Sequence, residues 1–125
     1  ERMSLRSPRL LLAVAGLYGA AGVAAGAVAA HRVDDPRLLT ASTFLMIHAA
    51  ALAGLSAAIP ALGLGRIATV AAWGVALGTL MFCGDLLLRV WLGSSPLPVA
   101  PFGGSLLILS WLALIAGALV PQRKA

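Results

Sequence analysis

The sequence predicts an all-α integral membrane four-helix bundle, and three observations carry that expectation. Of 125 residues, 61% are hydrophobic and only 10% charged, whereas soluble domains carry about 25% charged residues. Mean hydropathy is +1.00. The apolar residues fall into four runs, each near the ~20 residues that a bilayer crossing needs. We place the spans near residues 9–30, 37–59, 66–92 and 102–120, in a single domain. In lipid such helices associate by close packing and by satisfying polar groups, since the hydrophobic effect no longer drives them together.

The first run extends from Leu10 to Ala30. Glu1 and Arg2 precede Met3, the expected natural start. Ser7-Pro8 suits an N-cap and first helical position. Ala15, Gly19, Gly22 and Gly26 form a small-residue stripe, with GxxxG at Gly22–Gly26, a pattern that lets helix backbones approach closely. The basic start and Ala27-Val28-Ala29 mimic a signal peptide, but the apolar run exceeds the usual 7–15 residues of such a segment. It is therefore expected to stay as a span.

His31 to Arg37 is the only strongly polar internal stretch, and Asp35-Pro36 reads as N-cap and first residue of the second helix. That helix is expected to reach about Ile59, with Pro60, Gly63 and Gly65 ending it. Among its polar members His48 stands out, because Thr and Ser are commonly satisfied by their own helix backbone.

The third span carries Trp73 and Trp91, 18 residues apart and on one helical face. Helix rise separates them by ~27 Å, close to a hydrocarbon thickness. Tryptophan favours the membrane–water interface, so they are expected to anchor the helix there. Gly74, Gly78, Asp85 and Arg89 fall within an arc of roughly 60° and should face other helices. Gly93 to Pro101 contains three prolines and reads as a turn. Gly103-Gly104 then opens the last apolar run, to Val120.

Net charge is +5. In a soluble chain this would suggest nucleic acid, but no aromatic–basic surface accompanies it, and the basic residues stand at span ends. They read instead as topology signals and contacts for membrane lipid. One side receives Arg2, Arg6, Arg9, Arg66, Arg123 and Lys124; the other receives Arg32 and Arg37, with Arg89 near a helix end. That asymmetry predicts both termini in the cytoplasm. The lone Cys83 excludes an intrachain disulfide and reads as a small packing residue.

The candidates for ligand binding or a polar core are His31, His48, Asp85 and Arg89. Asp85 and Arg89 are spaced i,i+4 with the acid first, the better order for a helical ion pair. His48 is expected as a neutral, hydrogen-bonded imidazole. His31, His48, Cys83 and Asp85 could in principle hold zinc or copper, but no HxxxH or CxxC spacing supports it, so neither metal nor cofactor is expected. No nucleophile motif, phosphate loop or paired carboxylates occur, and no catalytic residue is assigned.

Several short motifs occur in a telling order. Gly26-Ala27-Val28-Ala29-Ala30-His31 closes the first span, and Thr40-Ala41 precedes His48. Phe82-Cys83-Gly84-Asp85-Leu86 and Ala100-Pro101-Phe102-Gly103-Gly104 follow, then Trp111. This set resembles the YgdD-like small bacterial membrane proteins grouped as domain of unknown function 423. Phe44 and Leu45 stand where that family tends to have Tyr-Gln, and Asp85 replaces a typical serine. The resemblance implies four transmembrane helices in a bacterial inner membrane, and no reaction, cofactor or substrate. The first functional expectation is a non-enzymatic membrane protein that packs with itself or with a larger membrane assembly. The alternative is a protein binding or transporting a small molecule, lipid or ion at an outer-half site around His48 and Asp85.

Overall fold

The computed structural model describes residues 2–121, so Glu1, Arg123 and Lys124 lie outside the described residues. Four helices follow one another: α1 (Arg2–His31), α2 (Pro36–Ala61), α3 (Arg66–Leu92) and α4 (Ala100–Leu119). All four are long and apolar enough to cross a membrane. The helix count and order match the sequence expectation; three of the boundaries move.

The first shift is at α1, which runs through Ser7 and Pro8 instead of starting there. Proline's fixed φ is helical, and what it removes is one hydrogen bond, so the backbone continues. The Ser7 hydroxyl is used elsewhere: it accepts the Trp73 indole N–H at 2.8 Å. The second shift is at α2, which continues through Pro60 to Ala61. Gly63 ends it, with φ 64°. The Gly63 and Leu64 N–H groups donate to Pro60 and Ile59 carbonyls at 3.2 and 2.9 Å, the paired bonds of a left-handed helix terminus. The third shift is at α4, which begins at Ala100, ahead of the glycine pair.

The start of α2 is capped locally. Asp35 accepts the Arg37 N–H at 2.9 Å, and the same carboxylate holds the Arg37 guanidinium at 2.8 and 3.1 Å. That side chain–side chain hydrogen bond, followed by the backbone bond, keeps the Asp35 carboxyl below its ordinary value.

The helices pack in sequence order: α1 on α2, α2 on α3, α3 on α4. α1 also meets α3 lightly, whereas α4 makes no close backbone approach to α1 or α2. The packing is steric at glycine. A methyl on Gly22 would lie 2.6 Å from the Met46 side chain, and one on Gly26 2.9 Å from the Ser42 hydroxyl. Gly19 stands opposite Ala49. On the other seam Gly78 faces Gly103 and Leu107, Gly74 faces Ser110, and Gly117 lies on the Ala68 backbone. These contacts bring backbones together where lipid offers no competing hydrogen bonds.

Candidate functional site

Two separate polar centres lie within the bundle. The first is Asp85. Its side chain is fully buried, and both oxygens are engaged. Oδ1 accepts from Arg89 Nε at 3.2 Å. Oδ2 accepts from the backbone N–H of Ala100, the first residue of α4, at 2.7 Å. Asp85 thus ties the end of α3 to the start of α4 and places negative charge against a helix N-terminus, where the macrodipole favours it. Arg89 reaches outward, with its side chain 34% exposed. Gly93, in the left-handed region with φ 77°, ends α3 and lets the chain turn back toward this point.

The second centre is His48, near the middle of α2. One ring nitrogen, Nδ1, lies 2.8 Å from the Phe44 carbonyl. The other, Nε2, accepts the Trp111 indole N–H at 3.2 Å. An indole can only donate, so Nε2 is an acceptor and the proton sits on Nδ1, which donates to Phe44. Phe44 stacks beside the imidazole at 5.7 Å and leans on Phe82 at 4.7 Å. The side chains of α2, α3 and α4 therefore bridge a gap that the backbones of α2 and α4 leave open. Beside them is an apolar groove of about 400 Å³, lined by Phe44, His48, Phe82, Leu107 and Trp111.

The structure brings Asp85 to Arg89 and His48 to Trp111; it does not join the two centres, which share no hydrogen-bond partner. His31 is exposed at the end of α1, apart from both. Among the described residues no three His, Cys, Asp or Glu side chains come together. The Cys83 thiol is buried and donates to the Ala41 carbonyl at 3.6 Å. The two tryptophans differ: Trp73 is half-buried against the core, whereas Trp91 is 56% exposed.

Sequence reasoning passed over Tyr18. Its buried hydroxyl donates to the Ala76 carbonyl at 2.6 Å and is a second polar link between α1 and α3, beside Ser7–Trp73. The available signal was a lone phenol in the middle of an apolar run, since a buried hydroxyl requires a partner. Ser42 acts likewise, donating to the Gly22 carbonyl at 2.7 Å. As arranged, these groups hold helices together. Every buried polar side-chain atom among the described residues has a hydrogen-bond partner.

No curated protein and no solved structure matches the chain. A family model does match, over residues 25–104, which include His48, Asp85, Arg89 and Ala100 and end before Trp111. The chain belongs to the family described as protein of unknown function (DUF423).

Proposed function

We propose that this multi-pass protein sits in a bacterial inner membrane with both termini in the cytoplasm, and acts without catalysis. It works by packing laterally with a second copy or with a larger membrane assembly. The observation that carries this reading is the complete internal pairing of its buried polar side chains. A binding or transport site would be expected to keep some of those groups turned toward a ligand. One surface open for packing is that of α4, whose backbone closely approaches α3 alone and which turns Phe102, Leu109, Leu112 and Ile115 outward. Arg6, Arg9 and Arg66 at one end support the orientation.

The test is extraction into native nanodiscs followed by mass spectrometry of the intact particles. We expect masses of more than one chain, or of the chain with a partner. A single chain, alone or with a small ligand lost on His48→Ala, would overturn the reading. Orientation is checked by thiol labelling in a Cys83→Ser background. A membrane-impermeant reagent added to intact cells should reach Ser95→Cys and miss Leu62→Cys; the reverse pattern sinks it.

The second reading, a small-molecule, lipid or ion site near His48 and Asp85, is favoured by one feature, the aromatic groove beside His48. Groove binding would appear in the same spectra as a ligand retained by the single chain.

A further inference from the structure

We propose that the cleft between the start of α1 and the α2–α3 turn binds the phosphate headgroup of an anionic membrane phospholipid. The cleft encloses about 820 Å³, against about 400 Å³ for the groove at His48. Its walls and floor are apolar: Pro8 and Leu11 from α1, Ile59 and Pro60 from α2. Ser7, Arg66 and Thr69 stand among the lining residues as its polar side chains.

Charge separates this end of the molecule from the other. At the far end Arg37 is paired with Asp35 and Arg89 with Asp85, which leaves Arg32 as the one arginine there without an ion pair among the described residues. At the cleft end Arg6, Arg9 and Arg66 are exposed, and among the described residues no acidic side chain stands with them. Exposed guanidinium groups at one end of the molecule attract an anion, and arginine is well suited to phosphate oxygens.

Depth selects a lipid over a free phosphate. Trp73 packs on the core and donates to Ser7 at the cleft wall. Tryptophan of this kind marks the headgroup level of a bilayer. A phosphate on Arg66 would then sit at the height of the lipid phosphates, while the glycerol and first acyl carbons lie over Pro60 and Leu64. An apolar floor of this kind gains nothing from an inorganic anion.

This inference does not depend on the packing role or on orientation, because it can be tested where both leaflets are alike. The full chain is placed in nanodiscs of phosphatidylcholine and phosphatidylglycerol at three to one, then released and weighed by native mass spectrometry. One phosphatidylglycerol per chain should be retained in preference to phosphatidylcholine. Arg66→Gln should reduce that retention about fivefold, the loss of one basic contact near a membrane surface. Pro60→Trp should also reduce it by filling the cleft, with Arg66 intact and helicity by circular dichroism unchanged. Arg32→Gln, at the opposite end, should leave retention as it was. Three results would each overturn the proposal: equal retention of the two lipids, an Arg32→Gln loss as large as that of Arg66→Gln, or displacement of the lipid by millimolar glycerol phosphate.

Discussion

Asp85 of α3 accepts the backbone N–H of Ala100 at 2.7 Å, so one helix supplies the N-terminal cap of the next. Val99, which occupies the N-cap position of α4, contributes no side-chain hydrogen bond. The carboxylate does this from a fully buried position while Arg89 holds its other oxygen. A charge that would be costly in hydrocarbon is thus met by a guanidinium and a helix N-terminus together.

The cap, more than the ion pair, should set the cost of losing Asp85. Asp85→Ala removes the acceptor for Ala100 and should destabilise by about 1–3 kcal/mol. Asp85→Asn keeps an oxygen for that N–H and should cost less. Arg89→Gln should cost under ~1 kcal/mol, since a side chain one-third exposed is screened. Thermal unfolding in detergent ranks the three. Equal losses for Asp85→Ala and Arg89→Gln would mean that the ion pair dominates and the cap is incidental.

Glycine substitutions should divide sharply by seam. A methyl at Gly103 would lie 2.5 Å from the Phe82 backbone nitrogen and 2.9 Å from the Gly78 carbonyl, atoms that cannot swing aside. Gly103→Ala should therefore cost about 1–3 kcal/mol through overpacking and separation of α3 from α4. A methyl at Gly84 meets nothing within 4 Å. Gly84→Ala should be neutral, or stabilising by up to ~1 kcal/mol through helix propensity. Melting temperatures of the two variants check this; a harmless Gly103→Ala would show that the seam can relax.

How far the sequence foretold this structure depends on the distance over which each decision is made. Length and polarity mark the four spans because lipid imposes both on every helix separately. The Asp35-Pro36 start is legible because cap and helix are neighbours in the chain. The start of α4 lies two residues ahead of the expected one, because its cap comes from Asp85, fifteen residues earlier and on another helix. The pairing of His48 with Trp111 spans 63 residues and that of Tyr18 with Ala76 spans 58. No spacing rule reaches so far. What the sequence does offer is the obligation: a lone histidine, phenol or carboxylate in an apolar run needs a partner, though nothing local names it.

Acid should loosen the start of α2 before the rest of the protein. The Asp35 carboxyl is held below its ordinary value of 3.8 by Arg37. A depressed carboxyl stabilises the fold above its unfolded pKa, and that contribution disappears as pH falls through the lower folded value. The window therefore lies below about pH 3.8. The protection of the Arg37 and Leu38 amides against hydrogen exchange, relative to their intrinsic rates at each pH, should fall on acidification through that range, and Asp35→Asn should remove the dependence. An unchanged pH profile in Asp35→Asn would place the titrating group elsewhere.

Trp111 has only an N–H to offer, and it points at His48 Nε2 from 3.2 Å. The proton must then reside on Nδ1, which lies 2.8 Å from the Phe44 carbonyl. The imidazole is neutral with a fixed tautomer, and neither nitrogen is left to bind a metal or pass a proton while both bonds hold. Nitrogen-15 NMR of labelled histidine in lipid should show the Nδ1–H form for His48. Trp111→Phe keeps the ring against α2 but leaves Nε2 without a donor. It should cost about 0.6 kcal/mol and at most ~1.7 kcal/mol, the average and the upper limit for interhelical hydrogen bonds in a membrane. It should also release the tautomer, so that the Nε2–H form becomes visible. Loss of stability with no change in tautomer would mean that Trp111 contributes packing alone. An Nε2–H form in the wild-type protein would mean that the indole does not donate to His48, and that the bridge between α2 and α4 is only a contact of rings.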